Sequence, residues 1–266
     1  MAENLEKAKT GEKQFERTEL IMGRDAVRSL RGKRVLVFGV GGVGGYAVEG
    51  LARAGIGTLD IVDNDDVDIT NINRQIIADH ESVGRDKVDV CEERIRRICP
   101  ETAVNKYKMF YLPEKEDQFQ FSDYDYVVDA IDTVKAKIDI IVRAQEAGVP
   151  VISSMGCGNR MDPTRLVVTD IYKTHMDPLA KVMRKELRQR GVESLKVVYS
   201  EEPAIRPWKP EEIGYEPEEP AEGSSRRSTP GSTPWVPAAG GLIIAAEVVK
   251  DLTGFDPGDR VRGGRK

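Results

Sequence analysis

The run Arg34-Val35-Leu36-Val37-Phe38 feeds directly into Gly39-Val40-Gly41-Gly42-Val43-Gly44, and Val43 to Ala54 continues with helical spacing of its apolar residues. A short β-branched strand, a glycine turn and a helix in immediate succession leave few folds open. Such a turn lets the backbone bend sharply and approach a ligand closely. The amides at the helix start carry the positive end of the helix dipole, which favours a phosphate.

Downstream the alternation continues. Leu59 to Val62 reads as the next strand, Lys87 to Ile98 as a helix closed by Pro100, and Tyr126 to Asp129 as an apolar strand ending in acids. Helix Lys135 to Ala147 and strand Val149 to Ser153 come next. Strands alternating with helices call for an α/β, Rossmann-like fold, a mostly parallel sheet with helices on both faces, which binds ligands at the carboxyl ends of its strands. Asp63, Asp132 and the glycine turn all fall at such ends.

After Ser153 the pattern changes. Strands at Leu166 to Asp170 and Lys196 to Tyr199, with a charged helix from Leu179 to Arg190 between them, are expected to extend the sheet at its C-terminal side. Residues 201–237 hold eight prolines among glutamates, serines and glycines, a composition that builds no core and reads as a mobile crossover loop. Ala238 to Leu252 resumes as a final apolar helix. One domain over 15–253 results, flanked by a flexible tail at 1–14 and a basic tail at 254–266.

Composition excludes several classes. No apolar run reaches the roughly 18 residues of a membrane-spanning helix. Met1 to Lys13 mixes Glu and Lys where a secretory signal needs an apolar core, so a cytoplasmic protein is expected. Cys91, Cys99 and Cys157 form no Cys-x-x-Cys pair, which leaves neither a disulfide framework nor a thiolate zinc site. A net charge of -5 argues against nonspecific coating of nucleic acid. A local basic face is a separate matter: Lys181, Arg184, Lys185 and Arg188 recur at one helical spacing opposite Leu179, Val182, Met183 and Leu187. Such a stripe fits either a solvated face or a tRNA backbone.

The glycine turn with Asp63, about 20 residues on, fits an NAD dehydrogenase as well as any other nucleotide enzyme, the acid binding a ribose hydroxyl. The residues beyond Asp63 shift the balance. Asn71, Arg74 and Lys87 load the strand edge with amide and cation, which a triphosphate needs and a pyrophosphate bridge largely does not. Asp132 adds a carboxylate suited to Mg2+ held jointly with phosphates. The only histidines, His80 and His175, offer a dehydrogenase no obvious acid-base residue.

Gly39 to Gly44, Asp63, Asn71-x-x-Arg74-Gln75, Lys87 and Asp132 together resemble the ThiF/MoeB/HesA adenylating enzymes, relatives of the ubiquitin-activating enzymes. The resemblance spans Phe15 to Leu252. Thr70-Asn71-Ile72-Asn73-Arg74-Gln75, Met161-Asp162-Pro163-Thr164, Val168-Thr169-Asp170 and Asp177-Pro178-Leu179-Ala180 are similar to the branch acting on threonylcarbamoyladenosine in tRNA. It implies an enzyme using ATP and Mg2+. In it Gly39, Gly41, Gly42 and Gly44 cradle phosphate, Asp63 binds the ribose, Asn71, Arg74 and Lys87 hold phosphates, and Asp132 binds the metal. Arg17 resembles the family arginine that reaches into a partner subunit's site, which implies a homodimer.

The same resemblance implies a tRNA substrate whose threonyl carboxylate is adenylated and then cyclised, with AMP and pyrophosphate released. It admits a sulfur-transfer protein as a further partner. Two rivals stand beside it: activation of the C-terminus of a ubiquitin-like sulfur carrier, and a nucleotide-binding module without catalysis. The 201–237 stretch holds no cysteine, so a thiol relay lacks its obvious nucleophile. Cys157, in Met155-Gly156-Cys157-Gly158, reads as a packing residue in a tight turn, with a place near the site as the alternative.

Overall fold

The computed structural model describes residues 13–112, 118–215 and 230–260. Its framework is one sheet of seven strands: β1 (Arg34–Phe38), β2 (Thr58–Asp63), β3 (Ala103–Lys108), β4 (Tyr126–Asp129), β5 (Val151–Ser154), β6 (Leu166–Asp170) and β7 (Lys196–Ser200). They lie in the order β3-β2-β1-β4-β5-β7-β6. All pairs are parallel except β6 with β7. The chain leaves β1 toward β2 on one side and returns to β4 on the other, so a crevice opens at the carboxyl ends of β1 and β4.

Helices cover both faces. They are α1 (Glu16–Met22), α2 (Arg24–Ser29), α3 (Gly44–Ala54), α4 (Lys87–Ile98), α5 (Val134–Glu146), α6 (Pro178–Gln189) and α7 (Trp235–Thr253). Alternation along β1 divides the core between the faces. Val35 and Val37 join a cluster with Ala47 and Leu51 of α3, Ile95 of α4 and Ile244 of α7. Leu36 and Phe38 join one with Ile140 and Ile141 of α5 and Met183 and Leu187 of α6. Burial on both faces is why β1 reads as an unbroken apolar run.

β3 is the one strand without a legible signal. Its residues, Ala-Val-Asn-Lys-Tyr-Lys, sit at the sheet edge and remain largely exposed. Its pairing partner supplies the reason it forms: Asp60 of β2, fully buried, accepts hydrogen bonds from Arg34, Asn105, Tyr107 and Tyr124. A polar edge strand thus satisfies a buried carboxylate.

The C-terminal side takes the expected form, with β7 parallel beside β5 and β6 closing the edge. Of the 201–237 stretch, 216–229 lies outside the described residues. Its two described parts are held: Ile205 N donates to Asn159 O at 2.9 Å, and Gly231 N donates to Asn159 Oδ1 at 2.7 Å. The expected N-terminal tail falls mostly outside the described residues, which exclude 1–12 and 261–266; of the C-terminal tail, 254–260 is described and ends in a short 3-10 turn at Pro257–Arg260. Among the described residues no helix is long and apolar enough to cross a membrane.

Candidate active site

Register places the site. Val37 lies opposite both Ile61 and Val128, and Phe38 opposite both Val62 and Asp129, so the residues just beyond these strands emerge at one level. Gly39, Asp63 and the Ala130–Thr133 turn therefore meet around a cleft of about 430 Å³. Gly41, Gly42, Asn71, Arg74 and Lys87 line the same cleft, as does Asp132.

The glycine turn is locked from below. Gly39 has φ of +85°, and a Cβ there would stand 2.8 Å from Ala130 O. Gly44 does not line the cleft. A Cβ on it would lie 1.8 Å from Gly39 O, so its contribution is to let α3 start directly against the turn. Val40 N donates to Asp63 Oδ2 at 2.8 Å, and Asp65 N to Asp63 Oδ1 at 3.0 Å. One carboxylate thus sets the glycine turn relative to the end of β2. Burial pushes the Asp63 pKa upward, against the pull of Lys87 and the two amides.

The cations arrive by two routes. Asp68 caps a short turn by accepting from Thr70 N at 2.7 Å, while Asn71 Oδ1 accepts from Asp68 N at 3.2 Å. Arg74, one turn on, is aimed by donating to Thr70 O and to Asn73 Oδ1, both at 2.9 Å. Lys87 comes from the first turn of α4. Its side chain is only 6% exposed and donates to Asp65 Oδ2 at 2.8 Å. Its one ion-pair partner among the described residues, Asp65, is 56% exposed, and Lys87 itself lines the cleft.

Asp132 is exposed on the turn between β4 and α5. Beneath it lies a network with no clear sequence signal. Lys137 of α5 and Asp129 of β4 are both fully buried and paired at 2.8 Å. Lys137 Nζ also donates to Ile131 O at 3.0 Å and Ser154 O at 2.8 Å, and Ser153 Oγ donates to Asp129 Oδ2 at 2.5 Å. Lys137 therefore fixes the turn that carries Asp132. The one available signal is a lysine on the apolar face of a helix whose neighbours Ala136, Ile140 and Ile141 are all core.

The far wall comes from Cys157, Gly158, Pro230 and Ser232. The Cys157 thiol is buried, and burial pushes its pKa up to about 11, so it stays protonated at neutral pH. Among the described residues no group of three or more His, Cys, Asp or Glu side chains could hold a metal by itself. Any divalent ion at Asp132 must share its shell with a ligand and water.

Arg17 is not at the cleft of its own chain. It is exposed on α1, at the amino-terminal ends of the strands. There Phe15 packs with Val27 and Cys99 and lies against Gly55, and Gln14 Nε2 donates to Ile98 O at 3.0 Å. The basic stripe on α6 also resolves unequally. Arg184 donates to Thr174 O at 3.0 Å and Arg188 stacks over Tyr172, 5.0 Å from its centroid. Lys181 and Lys185 share the stripe's shallow pocket with these arginines. Val182, expected on the apolar side, is 45% exposed, and Ala180 takes its place in the core.

Comparison with known proteins agrees with this geometry. The ThiF family model matches residues 14–263. The tRNA threonylcarbamoyladenosine dehydratase of Bacillus subtilis (strain 168) is 44% identical over 242 residues, covering 90% of this chain and 94% of that protein. The crystal structure of the Escherichia coli tRNA N6-threonylcarbamoyladenosine dehydratase in complex with ATP superposes with a TM-score of 0.79 at 32% identity. That match covers 95% of this chain and 97% of the other, and the AMP complex of the same enzyme gives the same score over 91% and 94%. The chain therefore belongs to the ThiF family of adenylating enzymes and stands among its tRNA threonylcarbamoyladenosine dehydratases.

Proposed function

We propose that this protein is an ATP-dependent tRNA threonylcarbamoyladenosine dehydratase whose chemistry takes place in the cleft at the carboxyl ends of β1, β2 and β4. One observation carries the reading: Arg74 and Lys87, drawn from separate elements, converge with Asp132 across the amides of the Gly39–Gly44 turn. Cations on one side and a carboxylate on the other suit a triphosphate and its Mg2+. Asp63 faces the ribose and Asn71 and Arg74 the phosphates; Asp132 would contribute the protein's ligand to the metal, which would neutralise phosphate charge.

The chain holds the nucleotide with its α-phosphorus open to an incoming carboxylate. An oxygen of the threonyl carboxylate attacks that phosphorus, and the bond to pyrophosphate breaks. Arg74 and Lys87 stabilise the negative charge that gathers on the departing pyrophosphate. The neighbouring carbamoyl group then closes on the activated carbonyl carbon, loses its proton, and AMP leaves. This step is intramolecular and has high effective molarity, so it needs no enzyme nucleophile. The protonated, buried Cys157 is consistent with that, and weighs against a thiol relay to a sulfur carrier. A sulfur-transfer protein is not required by this chemistry.

The position of α1 favours a two-fold dimer in which Arg17 serves the cleft of the other copy, because within one chain it lies at the wrong end of the sheet. We place the enzyme in the cytoplasm, as a single catalytic domain over 15–253 with 201–237 as its crossover segment. The test is direct: the purified protein, ATP, Mg2+ and tRNA bearing threonylcarbamoyladenosine should yield a nucleoside lighter by one water on mass spectrometry, with AMP formed in equal amount. A folded protein that leaves this nucleoside unchanged refutes the assignment.

A further inference from the structure

Among the described residues, Arg160 is a buried cation whose Nε and Nη1 have no partner. It is 3% exposed, its Nε and Nη1 meet no acceptor, and it forms no ion pair among the described residues. Lys137, also buried, has three acceptors within 3.0 Å. Burying a charge without a hydrogen-bond acceptor is costly, and a guanidinium has only donors to offer. An arginine buried without a partner among the described residues, next to a binding cleft, is poised for an oxyanion.

Its surroundings tie it to the cleft. Arg160 lies two residues after Gly158, a cleft residue, and its carbonyl accepts from Thr233 Oγ1 at 3.4 Å, beside Ser232, another. Asn159, with a left-handed φ of 56°, grips the same wall: its N donates to Gly231 O at 2.7 Å and its Oδ1 accepts from Gly231 N at 2.7 Å. Ser232 O in turn accepts from Asn73 Nδ2 at 3.1 Å, which joins this wall to the loop bearing Arg74. The charge of Arg160 is felt at Cys157, whose thiol it helps to hold down against burial. The guanidinium itself does not line the open cleft, so a ligand meets it only when the 230–232 segment or the side chain shifts.

Adenylation brings a second anion to a site already holding a triphosphate. Arg74 and Lys87 lie on the glycine-turn side, with the phosphates; the Cys157–Gly158 side holds no other buried cation without a partner among the described residues. We propose that Arg160 receives the substrate carboxylate on the wall formed by Cys157, Gly158 and the 230–232 segment, and presents it to the nucleotide. The proposal rests on the reading of the cleft as an adenylation site.

Steady-state kinetics of the full chain on tRNA bearing threonylcarbamoyladenosine tests it, with Arg160→Met and Arg160→Lys beside the wild type. Arg160→Met should raise KM for the modified tRNA about tenfold or more while KM for ATP stays within about twofold, because only the carboxylate loses its partner. Arg160→Lys should recover part of the loss, and affinity for unmodified tRNA should not change in either variant. An unchanged KM for modified tRNA in Arg160→Met, or equal losses toward ATP and tRNA, overturns the assignment. Should Arg160→Met fail to fold, Arg160→Gln and Arg160→Lys are read by the same criteria. A wild-type chain that leaves the tRNA unaltered removes the adenylation reading, and the role of Arg160 with it; a working wild type with an indifferent Arg160→Met removes only the latter.

Discussion

Lys137 Nζ and the Asp129 carboxylate, 2.8 Å apart and both fully buried, form the ion pair on which the Asp132 turn is built. Replacing only one member strands the other charge in the core. Lys137→Met should therefore lower unfolding stability by about 3–5 kcal/mol. Urea denaturation followed by circular dichroism measures it, and a loss below about 1 kcal/mol would show that water reaches Asp129 in the variant.

Arg74 and Lys87 differ in how they are held but share one expected role. Arg74→Ala and Lys87→Ala should each reduce the rate of AMP formation roughly a hundredfold or more, since each removes a cation from the charge developing on pyrophosphate. Lys87→Ala leaves behind Asp65, which is 56% exposed and stays hydrated, so the fold should survive. Near-normal turnover by a folded Lys87→Ala protein would reduce its pair with Asp65 to a structural one.

Cys157 offers a pH test. Its thiol is raised to about 11 by burial, above the ordinary cysteine value, so the folded state disfavours the thiolate. Stability from this group is complete below the unfolded pKa, near 8.5, and declines as pH rises from there through about 11. Alkylation of Cys157 by iodoacetamide in the native protein should be slow at pH 7.5 and should accelerate only toward pH 11. Cys157→Ala should remain active. Rapid alkylation at neutral pH, read by peptide mass spectrometry, would restore the thiol as a candidate nucleophile.

The α6 stripe should divide by anchoring. Lys181 and Lys185 have no hydrogen-bond or ion-pair partner among the described residues, whereas Arg184 and Arg188 are engaged with Thr174 and Tyr172. Charge reversal of Lys181 and Lys185 to Glu should weaken tRNA binding and flatten its salt dependence by about one phosphate contact per lysine. ATP affinity should not move. An unchanged slope of affinity against salt makes the stripe an ordinary solvated face.

Arg17 provides the test of a shared site. Arg17→Ala and Asp132→Ala homodimers should each be nearly inactive, yet a heterodimer holds one cleft with its own Asp132 and the other chain's Arg17. With free exchange about half the dimers are mixed and half their sites intact, so equal mixing should restore roughly a quarter of wild-type activity. Subunit exchange is verified with differently tagged chains. No recovery after confirmed exchange disproves sharing.

Local sequence determined the strand-turn-helix at Arg34–Ala54, the helix at Lys87–Ile98, and the set Asp63, Asn71, Arg74, Lys87 and Asp132, because glycine geometry, apolar period and the ends of strands are properties of neighbouring residues. It left β3 unread, since an edge strand facing water has no need of an apolar pattern; what pairs it there is the demand of Asp60 for donors. Tertiary structure alone decided that Gly44 packs and does not line the cleft, that Arg17 lies at the opposite end of the sheet from its own cleft, and that Lys137 is matched while Arg160, among the described residues, is not. Gly44 meets Gly39 in its own turn, but the other facts depend on residues far apart in the chain, and the energy of a buried charge is set by the groups that folding brings around it, which no local pattern encodes.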